Sequence, residues 1–302
     1  MTAWHLAAHC DHRLAKILFI SGRMLPVLNT SSAQYVKIES IYSGDMIVFT
    51  DSTISQKLRT WCLQCLQENF GPTFDLNKPL GLSKADFVAK ATQTKKQFTN
   101  SYLTKSLLED LIYQRYEHYV VHEIYYDYPR VRIIPPSSFL NSGISYNYRP
   151  HRDTWYGASQ RQINHWISVE NVNKFSTFFI APSFFDEVVN NSSEIFDLDE
   201  WDKIHRPLAS INTIKEDRPH PVPQSEIPSE SKNAMALEKG QEVCFSGHHL
   251  HGSLDNTTDK VRISIDFRVE LPSVNCQPPA NIDNKSSGNY LKYMIKHPSF
   301  NI

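Results

Sequence analysis

Val261-Arg262-Ile263-Ser264-Ile265-Asp266-Phe267-Arg268-Val269 alternates apolar and polar side chains. Successive side chains of a strand point to opposite faces, so Val261, Ile263, Ile265 and Phe267 share one face and Arg262 and Ser264 the other. Short runs of the same character occur at Val131–Ile134, Ile144–Tyr148, Gln162–Val169, Ser176–Ile180 and Glu242–Phe245. Their spacing predicts a jelly roll or β-sandwich. Upstream the period changes. Ile54–Asn69, Lys84–Gln97 and Tyr102–Tyr119 read as helices, the last with Leu107, Leu108, Leu111 and Ile112 on one stripe. Tyr35–Thr50 reads as two short strands around Ser43-Gly44-Asp45. The fold class expected is mainly β with a helical layer, around a double-stranded β-helix (jelly-roll, cupin-like) core.

The 302 residues carry 31 Lys+Arg against 32 Asp+Glu, with 40% hydrophobic and 21% charged residues. That composition is globular. A near-zero net charge argues against a nucleic-acid polymer or an anionic membrane as main partner, and no apolar run approaches the length of a membrane span. Five cysteines imply no disulfide framework. Cys62 and Cys65 form a C-x-x-C, but they sit three apart on a helical stripe and read as packing residues. The first 38 residues carry one acid, Asp11, and several bases, as a transit segment would. Their apolar run Ile17–Ile20 is short and preceded by His5, His9, Asp11 and His12, so a cytoplasmic monomer is expected.

Chemistry concentrates in Tyr148-Arg-Pro-His151-Arg-Asp153-Thr-Trp-Tyr156. His151 and Asp153, two apart on an extended chain, point the same way. They supply two ligands of a 2-His-1-carboxylate triad, the arrangement of non-haem Fe(II) oxygenases. Alone, the pair would read as a polar surface strand. A third His arrives in His248-His-Leu-His251-Gly-Ser253, and eleven residues after His251 comes Arg262. A buried Arg needs an anion, and its planar fork matches a carboxylate. His249 shares a strand face with His251 and competes for the ligand role, whereas His248 and His165 read as packed or solvent-facing.

His151-x-Asp153 and His251-Gly-Ser253-x-x-Asn256-x-Thr258-x-x-x-Arg262 resemble the Fe(II)/2-oxoglutarate-dependent dioxygenases, in their phytanoyl-CoA-dioxygenase-like branch. The resemblance spans roughly Val131–Val269. It implies His151, Asp153 and His251 as iron ligands, Arg262 on the far carboxylate of 2-oxoglutarate with Ser253 assisting, and Trp166 walling the cosubstrate. The implied activity is oxidation of an unactivated C–H bond (hydroxylation, desaturation or ring closure) with Fe(II), 2-oxoglutarate and O2. Two departures stand out. Ala181-Pro-Ser-Phe184 replaces a Pro-Gly-Ser-His, and no Gly precedes that strand in Lys174-Phe-Ser176. Asp153 disfavours a halogenase, which opens a halide position by losing the carboxylate.

Residues 1–302 then read as a single catalytic domain, with a helical layer over about 1–125 and a jelly-roll core over about 126–272. A polar, Pro-rich insertion at 184–240, carrying one short helix near Asp199–His205, reads as a lid that is poorly ordered without substrate. The tail 273–302 includes a short amphipathic helix at Gly288–His297. Arg149, Arg152 and Arg161 surround the H-x-D segment and point to a small carboxylate-bearing substrate. Algal kainoid synthases, which close a ring on an N-prenylated glutamate, take a substrate of this kind within the family. The rival readings are weaker. His118 and His122 are four apart, but Tyr119 stands where a zinc hydrolase needs its Glu. No G-x-G-x-x-G, P-loop or G-x-S-x-G occurs. The non-enzyme alternative is a cupin-like small-molecule binding module, separated by iron-dependent conversion of 2-oxoglutarate to succinate.

Overall fold

A computed structural model describes residues 27–30 and 35–300, apart from 51, 73, 76–80, 120 and 211–214. The expectation for the N-terminal transit-like stretch falls largely outside them. The chain runs β1 (Val27–Thr30), α1 (Ile38–Tyr42), β2 (Met46–Phe49), α2 (Thr53–Phe70), α3 (Lys84–Asn100) and α4 (Tyr102–Tyr116). Strands β3 (Tyr125–Tyr126), β4 (Arg130–Ile134), β5 (Gln162–Ser168) and β6 (Phe178–Ile180) follow. After α5 (Leu198–Glu200) come β7 (Asn233–Ala234), β8 (Glu242–Ser246), β9 (His251–Ser253), β10 (Arg262–Glu270) and β11 (Ile295–Lys296).

Two sheets result. The larger has the order β1-β2-β8-β5-β10-β3-β11, with β4 also paired to β10, and the smaller the order β7-β6-β9. All their pairings are antiparallel except β1 with β2. The β10 alternation sets the two sides of the large sheet. Ile265 stands opposite Ile167 on one flank and Val131 on the other, and these residues pack with Ile263, Phe267, Leu58, Cys62, Leu108 and Leu111 into the main core under α2, α3 and α4. On the opposite face Met46, Val48, Trp166, Val243 and Phe245 meet Phe178 and Ile180 of the small sheet. Two facing antiparallel sheets backed by helices are the expected jelly roll with its helical layer. No helix of the described residues is long and apolar enough to cross a membrane.

The helices begin where their serines allow. Ser52, Ser83 and Ser101 each accept a backbone N–H of the first turn at 3.1 Å, opening α2, α3 and α4. Cys62 and Cys65 are fully buried on the core stripe of α2 with Leu58 and Leu66, the packing role expected of them.

Three expectations need correction. The first half of Tyr35–Thr50 is the helix α1, because Ile38, Ile41 and Tyr42 bury a face at i, i+3 and i+4, a helical period. Ile144–Tyr148 is no strand. Gly143–Ser145 forms a 3-10 turn, and the Asn147 N–H goes to the Asn141 side chain at 2.9 Å rather than to a neighbouring strand. Gly288–His297 is a 3-10 turn at Tyr290–Tyr293 followed by β11, which pairs with β3. Within 184–240, the expected short helix is present as α5 continued by a π turn at Trp201–His205.

Candidate metal centre

The H-x-D segment reaches the site by pairing with β9. His151 and His251 exchange backbone hydrogen bonds at 2.8 and 2.9 Å. Arg152 is extended (φ −105°, ψ 145°), so His151 and Asp153 project to one side. The chain then tightens into a 3-10 turn, Asp153–Tyr156, which Gly157 ends at φ +80°. Gly252 lets the two segments approach: a Cβ there would lie 3.0 Å from both the Phe179 ring and the Pro150 nitrogen.

Each imidazole is oriented through its other nitrogen. His151 Nδ1 donates to the Arg149 carbonyl at 2.7 Å and His251 Nδ1 to the His249 carbonyl at 2.9 Å. That fixes the tautomer with a bare Nε2. The two Nε2 atoms lie 3.5 and 3.8 Å from Asp153 Oδ1. Asp153 Oδ2 is engaged from behind by Gln162 Nε2 at 2.8 Å and Asn164 Nδ2 at 2.7 Å, leaving Oδ1 to the imidazoles. Burial opposes ionisation of Asp153, while the hydrogen bond from Asn164 lowers its carboxyl. Burial and the neighbouring His151 push His251 down to about 4, so it is neutral at physiological pH. Two imidazoles and one carboxylate, with their lone pairs convergent, fit a divalent transition metal.

His249 turns away. Its ring nitrogens lie 3.2 and 3.0 Å from the Ser246 and Gly44 carbonyls, and burial lowers it to about 4. His248 is buried beside Phe185. A second cluster, His165, Glu242 and Cys244, also brings its donor atoms together. Those donors are spent on neighbours: His165 lies 2.7 Å from Glu242 and 2.8 Å from the Tyr116 hydroxyl, while Glu242 takes Arg115 at 2.7 Å.

A cavity of about 450 Å³ opens from His151, Asp153 and His251, and its lining includes Ser253, Trp166 and Arg262. Arg262 is buried, and its Nε has no hydrogen-bond partner. Burial, with Arg132 nearby, lowers its guanidinium to about 10. Ser264 Oγ, next along the same face of β10, is likewise buried without a partner. An orphaned guanidinium beside a cavity is a place prepared for an anion.

The three arginines expected at the substrate stand elsewhere. Arg149 is exposed and absent from the cavity wall. Arg152 is fully buried, and its guanidinium is consumed by Asp283 and by backbone carbonyls. Arg161 donates to the Val274 and Cys276 carbonyls at 3.2 Å. Local proximity in sequence misled because alternation sends Arg152 to the far face. The cations that line the cavity beside Arg262 are Lys95, Arg130, Arg132, Arg206, Arg218 and Arg268. Arg130, Arg132 and Arg268 occupy cavity-facing positions of β4 and β10, and alternation could have revealed them. Arg132 grips Asp266 at 2.8 and 3.3 Å, and Arg268 reaches within 3.7 Å of Asp153. Lys95 donates to the Ile144 carbonyl at 2.8 Å, and burial together with Arg132 lowers its ammonium to about 7.

The 184–240 insertion forms one wall through Phe196, Leu198, Trp201, Arg206 and Arg218. It is tied to the metal segment by Tyr156, whose hydroxyl lies 3.1 Å from His220 Nδ1. His220 stacks on Tyr146, ring centroids 4.6 Å apart.

No family model and no curated protein matches this chain. Solved structures do. A non-heme monooxygenase, ThoJ in its apo form, aligns at 12% identity and TM-score 0.44 over 81% of this chain and 80% of its own. EvdO2 from Micromonospora carbonacea var. aurantiaca aligns at 11% identity and TM-score 0.45, over 83% and 97%. EctD from S. alaskensis, solved with 2-oxoglutarate and 5-hydroxyectoine, aligns at 12% identity and TM-score 0.44, over 93% and 91%.

Proposed function

We propose that this chain is an Fe(II)/2-oxoglutarate-dependent oxygenase that oxidises a C–H bond of a small carboxylate-bearing molecule. The observation that carries it is the convergence of two tautomer-locked imidazoles and Asp153 Oδ1 on one wall of a cavity that also holds an unpartnered Arg262. Fe(II) held there with 2-oxoglutarate and O2 would supply the oxidising power, with succinate and CO2 as co-products. The residues do the positioning. His151, Asp153 and His251 hold the metal from one side and leave the cavity side open. Arg262 grips the far carboxylate of 2-oxoglutarate in two-point contact, Ser253 assists, and Trp166 with Phe178 and Phe245 keeps that end of the cavity dry.

Charge supports the substrate class. Lys95 and six arginines line the cavity against the two carboxylates Asp153 and Asp266, and Asp127, Asp202 and Glu216 pair Arg130, Arg206 and Arg218 from behind. The balance stays positive, which suits an anionic guest. The aromatic wall of Tyr146, Tyr148, Tyr156 and Trp201 would pack its apolar body.

The test is a screen following succinate formation coupled to substrate loss. It sets carboxylate-rich candidates, N-prenylated glutamates among them, against uncharged and long-chain ones. Coupling only to an uncharged substrate overturns the substrate class. Absence of iron-dependent succinate formation in every arm leaves a binding module instead.

A further inference from the structure

We infer that Arg152 and Asp283 form a buried clamp that presets the geometry of the metal ligands, a positioning role that rests on the triad reading above. Arg152 lies between His151 and Asp153, and its side chain leaves on the opposite face, away from the cavity. There it is fully buried, and every nitrogen is used. Nε donates to Asp283 Oδ2 at 3.0 Å. Nη2 donates to the Phe184 and Glu187 carbonyls at 2.6 and 2.8 Å. Nη1 donates to the His248 carbonyl and reaches the Phe185 carbonyl at 3.4 Å. His248 is three residues before His251, so one guanidinium ties the segment that carries two ligands to the segment that carries the third.

Asp283 completes the clamp from the far end of the chain. Its other oxygen accepts Trp155 Nε1 at 2.8 Å, and Oδ2 also takes the Val189 N–H at 3.1 Å. Trp155 is itself fully buried, two residues after Asp153. A single carboxylate therefore holds both flanks of Asp153 and the start of the insertion. The ligand segments also touch one another directly through the His151–His251 backbone bridge, the Ser253 N–H on the Tyr148 carbonyl and the Asp153 N–H on the Gly247 carbonyl. Arg152 adds a side-chain tie between them on the face away from the cavity. If Asp283 loses its charge, Arg152 remains buried without its hydrogen-bonded counterion, and the H-x-D segment shifts to relieve it. The outer-shell logic is that of a ligand-orienting partner, displaced one residue along the chain.

Mn(II) affinity, measured by calorimetric or spin-resonance titration of the full chain, tests this. Asp283→Asn and Arg152→Lys are expected to weaken Mn(II) binding by about 10–100-fold, the range for outer-shell partners. Ile112→Val in the distant core lowers the melting temperature while leaving Mn(II) affinity at the wild-type value. Should Asp283→Asn fail to fold, Trp155→Phe, which removes one bond to Asp283, and Arg152→Lys carry the comparison. Wild-type affinity in the clamp variants that fold, or losses no greater than in Ile112→Val, overturns the clamp. A wild-type chain whose Mn(II) binding is absent, or insensitive to Asp153→Ala, overturns the triad reading beneath it.

Discussion

Arg262 and Asp153 are the side chains on which the chemistry depends most directly. Replacing Arg262 by Ala breaks one side of a charge-assisted pair inside a closed site, which costs about 2–5 kcal/mol. The 2-oxoglutarate concentration for half-maximal succinate formation should rise by well over tenfold. Arg262→Lys should recover little, because an ammonium cannot reproduce the two-point fork. Unchanged cosubstrate dependence in both variants would remove Arg262 from the role. Asp153→Ala deletes the one anionic ligand and removes an acceptor from both Gln162 and Asn164. Metal titration should show no site of wild-type affinity and turnover should vanish; full activity would exclude the triad.

The elements around the site work by close approach. Strand β9 meets the 149–151 segment through Gly252, where even a methyl group would crowd the Phe179 ring and the Pro150 nitrogen. Gly252→Ala should therefore spread His151 from His251 and lower metal affinity, with little loss of helix content by circular dichroism. The insertion acts on the substrate side. Trp201 contacts Tyr156, Phe196 and His220 with ring centroids 6.3, 5.4 and 4.9 Å apart. Trp201→Ala should raise the substrate KM while leaving the 2-oxoglutarate requirement near wild type. Equal shifts in both would show that the insertion supports the whole site and not one half of it.

Across the molecule, the sheet separates two kinds of charge. Towards the helices lies a buried network in which Glu242 accepts Arg115 and His165. Burial would raise the Glu242 carboxyl, but the Arg115 charge and the His165 contact lower it from 4.5 to about 2. The unfolded chain consequently takes up this proton first as pH falls. The stability Glu242 contributes is full above about pH 4.5 and is lost progressively down to about pH 2. Acid unfolding followed by circular dichroism should show this fall, and Glu242→Gln should flatten it. Arg115→Met should cost about 3–5 kcal/mol, because it leaves a buried carboxylate without its partner; a smaller loss in denaturant titration would mean that water reaches the network.

Two-fold alternation in Val261–Val269 was enough to predict the strand, its buried face and the outward Arg262, because side-chain direction on a strand follows from covalent geometry. The same geometry made His151 and Asp153 neighbours, and the helical period of their apolar residues located α2, α3 and α4. What the one-dimensional pattern could not carry was which distant groups would meet. His251 rather than His249 faces Asp153 because β9 pairs with His151 in one register, and a two-residue slip would exchange them. Arg152 was read as a substrate contact from its neighbours in sequence, yet its partner Asp283 lies at the other end of the chain. The cavity cations Lys95 and Arg218 come from a helix and from the insertion, joined there only by packing. Local conformation is decided over a few bonds and is written in spacing. Charge pairing, burial and the choice between two histidines of one strand face are decided across the fold, where the cost of an unpaired buried charge selects one arrangement.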